Sequence, residues 1–358
     1  MKIATIVGAR PQFIKAATIS RVIVTNGGVH EVLIHTGQHF DANMSDLFFA
    51  ELDIRQPDYH LGIGGGSHGQ NTGRMIEAIE SVLIREQPDW VIVYGDTDST
   101  LAGALAAVKL HIPIAHVEAG LRSFNRQMPE EINRVLTDHS STLLFAPTKK
   151  ALNNLVSEGI TGGKVKQVGD VMFDASVYYK QRAKRPDSAS IEGNEPFVLC
   201  TVHRPENTDD PLRLAGIVGI INEISTQFPV VFPLHPRTKI ALASVPGVVF
   251  KSAVRVIEPL GFLEMTWLIG RCTLVLTDSG GLQKEAYFHQ KPCVTLRNET
   301  EWTELVEAGY NYLLSPFSTD AIKVLGRMIE VEIHTGNRLY GDGDTAKKIC
   351  FHLFGSDS

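Results

Sequence analysis

The stretch from His116 to Arg134, HVEAGLRSFNRQMPEEINR, brings three carboxylates, three arginines, a histidine and two asparagines into about one strand, one loop and one helix start. Glu118 directly follows the apolar run Ile114-Ala115-His116-Val117. A buried strand of an α/β sheet normally ends in small turn residues, so a carboxylate there reads as a group of a site, of the kind that moves protons. The competing reading is a salt-bridged loop capping the next helix, because Pro129 and Glu130 suit a first helical turn and Glu131 to Arg134 can pair along it. Asp96 repeats the pattern behind the strand Trp90-Val91-Ile92-Val93-Tyr94. Asp98 or Ser99 reads as the cap of a helix over 100–110, which leaves Asp96 as the site acid.

Other strand ends carry groups suited to anions. The first strand runs into Gly8-Ala9-Arg10-Pro11 and an apolar-periodic helix, so backbone N–H groups, Arg10 and Lys15 converge on one helix N-terminus. A second strand, Glu31 to His35, places His39 close behind its end. The glycine-rich stretch Gly62 to Gly73 formally matches a dinucleotide fingerprint but follows no proper strand, and reads instead as a mobile loop.

In the second half, Phe197 to Val202 ends in His203-Arg204-Pro205-Glu206-Asn207. A histidine there can donate to a phosphate oxygen or move a proton, and Arg204 offers a fork of donors; the alternative is a capping loop from Asn207 to Asp210. His235 stands at another strand end. Leu274 to Thr277 leads through Asp278 into Ser279-Gly280-Gly281 and a helix, a second anion cradle that fits a diphosphate, with Glu285 one turn further on, where it could accept from ribose hydroxyls.

The elements that must position these groups alternate between strand and helix, which implies parallel sheets covered on both faces: an α/β fold. The chain has 358 residues, enough for two domains, and the polar segment Gln181 to Pro196 reads as the linker between them. With 43% hydrophobic and 21% charged residues the composition is that of a soluble globular protein, with no long apolar run and no signal-peptide layout, so no membrane association is expected and a cytoplasmic enzyme fits. The net charge of −6 argues against bulk nucleic-acid binding, though local cations can still hold one phosphorylated small molecule. Four scattered cysteines suggest core thiols and neither a metal site nor a disulfide framework.

Taken together and in order, Gly-Ala-Arg-Pro-Gln, Gly-Gln-His, Tyr-Gly-Asp-Thr, His-Val-Glu-Ala-Gly-Leu-Arg, Pro-Glu-Glu-Ile-Asn-Arg, Val-Gly-Asp, Thr-Val-His-Arg-Pro-Glu-Asn and Thr-Asp-Ser-Gly-Gly-Leu-Gln-Lys-Glu resemble the non-hydrolysing UDP-N-acetylglucosamine 2-epimerases over nearly the whole chain. The resemblance implies two Rossmann-like domains of the glycosyltransferase B type with a nucleotide sugar in the cleft between them, and a homodimer. The expected divisions are 1–182 for sugar and catalytic carboxylates, 183–340 for UDP, and 341–358 as a helix crossing back. It also implies elimination of UDP across C1 and C2 to a 2-acetamidoglucal, then re-addition with the proton delivered to the other face. By motif position Asp96, Glu118 and Glu130 match the family's essential acids. Arg10, Lys15, His203, Ser279 and Gly281 match its phosphate-side groups and Glu285 its ribose contact. Lys15 and His203 count among the catalytic set; His39, Arg204, Asn207, His235 and Gly280 join the substrate-binding set. No cofactor and no metal is expected, since no net redox change occurs and cationic side chains can take the charge. The product would feed surface polysaccharides such as lipopolysaccharide.

Departures from the family pattern concern the substrate. The loop after Arg122 is two residues short, Trp302 replaces a usual arginine, and Phe40-Asp41 follows His39. These features look more like the branch that acts on UDP-2,3-diacetamido-2,3-dideoxyglucuronate, with Arg126 or another cation facing its carboxylate. A glycosyltransferase using a UDP-sugar donor is the alternative.

Overall fold

The computed structural model describes residues 1–38, 49, 51–189, 191, 195–245, 247–334 and 338–355. It divides into two compact units, Met1–Ala175 with Leu339–Ser358, and Ser176–Arg338.

In the first unit the apolar runs form seven strands: β1 Lys2–Val7, β2 His30–His35, β3 Tyr59–His60, β4 Trp90–Tyr94, β5 Ile114–Val117, β6 Leu143–Ala146 and β7 Val165–Gln167. All pair in parallel, in the order β3-β2-β1-β4-β5-β6-β7. That order reverses between β1 and β4, the point at which open α/β sheets gather ligand-binding loops. Register matters for the site: Tyr94 lies opposite Val117, so the turns carrying Asp96 and Glu118 leave the sheet side by side. The covering helices are α1 Arg10–Asn26, α2 His68–Glu86, α3 Asp98–Lys109, α4 Pro129–Ser140 and α5 Lys149–Ser157; α6 Val171–Lys180 begins in this unit and continues into the second from Ser176. Met75, Ile79, Val82 and Leu83 recur at helical spacing in α2 and are buried with Ile6, Ile34 and Val93. Such side chains contribute about 1.5–3 kcal/mol each when fully buried, which anchors the helices on the sheet.

The second unit has β8 Val198–Thr201, β9 Val230–Pro233, β10 Val254–Ile257, β11 Leu274–Thr277, β12 Cys293–Thr295 and β13 Asn311–Leu313, again parallel, in the order β10-β9-β8-β11-β12-β13. Its helices are α7 Pro205–Thr208, α8 Pro211–Ile224, α9 Pro236–Ala243, α10 Phe262–Arg271, α11 Gly280–Phe288, α12 Thr303–Glu307 and α13 Ala321–Ile329. Thr277 lies opposite Thr201, which brings the turn at Asp278 beside that at His203. The last helix, α14 Thr345–Phe354, packs on α1, and Asp174 Oδ2 accepts from the Ala346 N–H at 2.8 Å.

Several local expectations change. The Gly62–Gly73 stretch is loop only as far as Ser67: Ser67 and Gln70 form a capping box that starts α2 at His68, and Asn71 bonds both the N–H and C=O of Gly66. Thr97, not Asp98 or Ser99, caps α3, because Asp98 is turned to His68 and Asn133 and Ser99 to Thr36 and Gln38. The polar segment after α6 is more than spacer, since Ala189 and Ile191 are buried in the second core with Phe197 and Leu199. All four cysteines are buried free thiols. No described helix is long and apolar enough to cross a membrane.

Candidate active site

In the first unit the site is built where β1, β4 and β5 end. The turn after β1 does not present an anion cradle as expected. Gln12 Oε1 accepts from the N–H groups of both Gly8 and Ala9, at 2.8 and 3.0 Å, while Gln12 Nε2 donates to the Tyr94 carbonyl and to the Thr97 and Thr100 hydroxyls. Gln12 therefore staples the β1 turn to the β4 turn. Lys15, one turn into α1, is drawn to Glu118, its Nζ bonded to Oε2, with 11% and 6% of the two side chains exposed. Arg10 lies exposed at the first helical position.

Glu118 holds a left-handed conformation at φ 69°, uncommon for a residue with a Cβ, and Gly95 opposite has φ 64°. A Cβ on Gly95 would come 3.4 Å from Glu118 Oε2 and 3.6 Å from Lys15 Nζ, ordinary contact distances, so the β4 turn lies beside the ion pair and it is the positive φ that favours glycine there. Asp96, next in line and 30% exposed, is held by Arg134, whose Nε and Nη2 donate to Oδ2 at 2.9 and 2.6 Å. Arg134 thus does more than support its helix, the role its spacing suggested. Glu131 is likewise more than an along-helix partner: besides pairing with Arg134 at 2.8 Å it accepts from the N–H groups of Ser123 and Phe124, both at 2.9 Å. Burial alone would raise the Glu131 carboxyl; these N–H groups and Arg134 outweigh it, and it titrates below the usual range. The loop 123–128, with Phe124, Asn125 and Arg126 exposed, hangs from this anchor. Glu130 is half-buried in the first turn of α4. His39 lies outside the described residues.

In the second unit the organising group is Asp278, fully buried at the end of β11. Its carboxylate accepts from the backbone N–H of His203 at 3.0 Å and of Arg204 at 2.9 Å, and from Asn207 Nδ2 at 3.1 Å. Asn207 is itself buried, its other amide bond running to the Leu296 carbonyl and its Oδ1 accepting twice from Arg213. Every hydrogen-bonding direction of Asn207 is used internally, so it supports the turn and does not face a ligand, contrary to the sequence expectation. The His203 ring, 38% exposed, lies 5.4 Å from that of His235; burial pulls its pKa down, with Asp278 opposing. His235 is exposed and caps α9, Nδ1 accepting from Arg237 N–H.

Ser279 caps α11, which opens with Gly280 and the exposed Gly281. A Cβ on Gly280 would lie 3.2 Å from Arg204 Nη2, so the fork of Arg204 stands at this helix N-terminus, with Glu301 3.8 Å from it. The unpaired N–H groups of a helix start beside a guanidinium favour an anion. Trp302 closes the other side: its Nε1 donates to the Gly280 carbonyl at 2.8 Å and its ring lies 4.2 Å from Lys284 Nζ. Glu285, partly buried, is pushed up to about 7 by burial, with Lys284 opposing.

The structure brings Lys15, Asp96 and Glu118 together in one unit, and His203, Arg204, Ser279 and Gly280 in the other. Sequence reading missed Asp278 and Arg134 as organising residues. The signal for Asp278 was its position directly behind a buried strand, the same argument that selected Asp96. Among the described residues no group of three or more His, Cys, Asp or Glu is arranged to hold a metal ion.

Residues 21–353 match the family model described as UDP-N-acetylglucosamine 2-epimerase. The chain is 52% identical to the UDP-2,3-diacetamido-2,3-dideoxy-D-glucuronate 2-epimerase of Pseudomonas aeruginosa, over 99% of each chain. It is 44% identical to the UDP-N-acetylglucosamine 2-epimerase of Methanocaldococcus jannaschii, over 98% of each. A crystal structure of the M. jannaschii UDP-GlcNAc 2-epimerase, in complex with UDP-GlcNAc and UDP, matches with a TM-score of 0.85 at 42% identity, covering 99% of this chain and 100% of that one. A calicheamicin glycosyltransferase, at 12% identity and a TM-score of 0.56, shares the fold alone. The chain belongs to the UDP-N-acetylglucosamine 2-epimerase family.

Proposed function

We propose that this protein is a non-hydrolysing 2-epimerase of a UDP-linked N-acetylated sugar, with UDP-2,3-diacetamido-2,3-dideoxyglucuronate as its preferred substrate. The observation that carries the reaction type is the Lys15–Glu118 pair lying against Gly95, with Asp96 and its Arg134 next to it. The substrate assignment rests on the higher identity to the uronate enzyme, 52% against 44%.

C2 of such a sugar has no neighbouring carbonyl, so its hydrogen is not acidic and direct abstraction stalls. Elimination avoids this. A carboxylate takes the C2 proton as the C1–O bond to UDP breaks, giving a glycal; UDP then adds back at C1 while a proton reaches C2 from the opposite face. The departing diphosphate needs donors, and the α11 start with Arg204 and His203 supplies them in the second unit. In the first unit the two faces of C2 need two proton carriers. Asp96 and Glu118 are fixed by cationic partners, and Glu130 stands in the first turn of the neighbouring α4. The same reading makes the protein a cytoplasmic homodimer supplying surface polysaccharide precursors.

The test is incubation in deuterated water, without a sugar acceptor, with each of the two nucleotide sugars, following C2 by NMR. Deuterium entry with UDP retained in the product supports the proposal. No exchange with either sugar fits a glycosyltransferase and sinks it; turnover of UDP-GlcNAc equal to or better than that of the uronate removes the substrate assignment.

A further inference from the structure

Resting on the epimerase reading, we infer that His116 and Asp138 form a positioning pair that fixes the turns carrying Asp96 and Glu118 relative to each other. His116 belongs to β5, two residues before Glu118, and is fully buried. Its Nε2 lies 2.8 Å from the carbonyl oxygen of Gly95, the residue before Asp96. Its Nδ1 lies 2.7 Å from Asp138 Oδ1, on α4. The second Asp138 oxygen accepts from the Gly120 N–H at 3.0 Å and from Arg122 Nη2 at 2.7 Å. One carboxylate therefore grips the backbone two residues beyond Glu118, and the ring bonded to it grips the backbone immediately ahead of Asp96.

The donor assignment at Nε2 follows from chemistry. A carbonyl oxygen only accepts, so Nε2 carries a hydrogen. Burial would raise the Asp138 carboxyl, but His116 and Arg122 outweigh it and shift the group downward. The hydrogen bond between Nδ1 and Asp138 Oδ1 holds the other edge of the ring. Glutamate at φ 69° costs roughly 1–2 kcal/mol relative to a right-handed conformation, so the Glu118 turn persists only where its surroundings hold it. The Gly95 turn lies beside the Lys15–Glu118 pair: a Cβ on Gly95 would be in ordinary contact with both groups, at 3.4 and 3.6 Å. A displacement of about 1 Å between reacting groups can cost about 100-fold in rate.

Breaking a buried hydrogen-bonded pair destabilises a protein whatever else the pair does, so a fall in melting temperature cannot separate positioning from plain support. Two uncharged replacements can. The carboxamide nitrogen of glutamine reaches the place of Nε2, and that of asparagine the place of Nδ1. His116→Gln keeps the donor to Gly95; His116→Asn keeps only the one to Asp138. Both are compared with wild type for kcat, KM and UDP affinity, at a temperature where circular dichroism shows all three folded. The expected result is a kcat about 100-fold lower in H116N with UDP affinity within about two-fold, and recovery of about ten-fold in H116Q. Equal kcat in the two variants, or wild-type kcat in H116N, overturns the inference. If neither variant folds, Asp138→Asn, which keeps side-chain volume, replaces them: a fall of about ten-fold in kcat at unchanged UDP affinity supports the pair, and wild-type kcat overturns it. Wild-type exchange at C2 is the control for the epimerase reading. If it is absent, that reading fails, and the pair is judged on the Asp96 backbone amide resonance, which shifts in H116N and not in H116Q if the clamp exists; equal shifts overturn it.

Discussion

Arg134 places two of its N–H groups on one oxygen of Asp96, Nε at 2.9 Å and Nη2 at 2.6 Å, while its Nη1 reaches Glu131 at 2.8 Å. The guanidinium plane thus joins a carboxylate at the end of β4 to one inside α4, and Glu131 in turn holds the start of the loop 123–128. A planar fork can do this; an ammonium group on a flexible stem cannot meet both partners in one fixed geometry.

Arg134→Lys is accordingly expected to keep the charge and lose the alignment. We expect kcat to fall about 10- to 100-fold, with UDP affinity changed less than about three-fold, because the groups proposed to bind UDP lie on the second unit. Steady-state kinetics with a separate UDP titration checks this. A loss confined to KM would show that Arg134 serves substrate binding and not the placement of Asp96.

Asn207 gives a contrasting case. Its amide nitrogen bridges Asp278 and the Leu296 carbonyl and its oxygen takes Arg213, so Asn207→Ala leaves a buried carboxylate and carbonyl each short of a partner. Removing one partner from buried polar groups costs about 1–3 kcal/mol apiece. The variant is expected to unfold several degrees lower than wild type, and to bind UDP weakly only in proportion to its unfolded fraction. Calorimetry with and without UDP measures both. Wild-type stability with lost UDP binding would restore the direct ligand contact that the sequence suggested.

The sheets and their alternating helices were legible from apolar runs, because parallel strands buried on both faces leave little else to read. Strand ends marked Asp96, Glu118 and His203 for the same reason: a polar group directly behind such a run has few structural uses. What the sequence hid was pairing. Lys15 reads as a phosphate-side cation beside Arg10, yet it turns to Glu118, a residue more than 100 positions away. Gln12, present in the first motif but given no role from the sequence, takes up the very N–H groups that the β1 turn offered an anion. Short strands escaped as well: β3 has two residues and β13 three, too few for alternation to show. Long-range partners of polar side chains depend on register and helix placement, which spacing along the chain does not encode.

Asp174 supplies a prediction about pH. Its carboxyl is 8% exposed and is pushed up from 3.8 to about 6 by burial, with the Ala346 and Thr345 N–H groups at the start of α14 opposing the rise. A group whose pKa is higher folded than unfolded binds its proton more tightly in the folded state. Its contribution to stability is therefore fully present below about pH 4 and is lost as pH rises through about 6. The span from 3.8 to about 6 sets an upper limit of roughly 3 kcal/mol on that change. Asp174→Asn keeps an acceptor for the Ala346 N–H and removes the titration. The stability of D174N minus that of wild type, measured by urea unfolding, should therefore increase between pH 4 and pH 7 and then level off. Other titrating groups cancel in the difference, since both proteins carry them. A difference that stays flat across this range would mean that Asp174 titrates alike in the folded and unfolded chains, and a difference that shrinks would mean that the N–H groups of α14 outweigh burial and hold the carboxylate ionised.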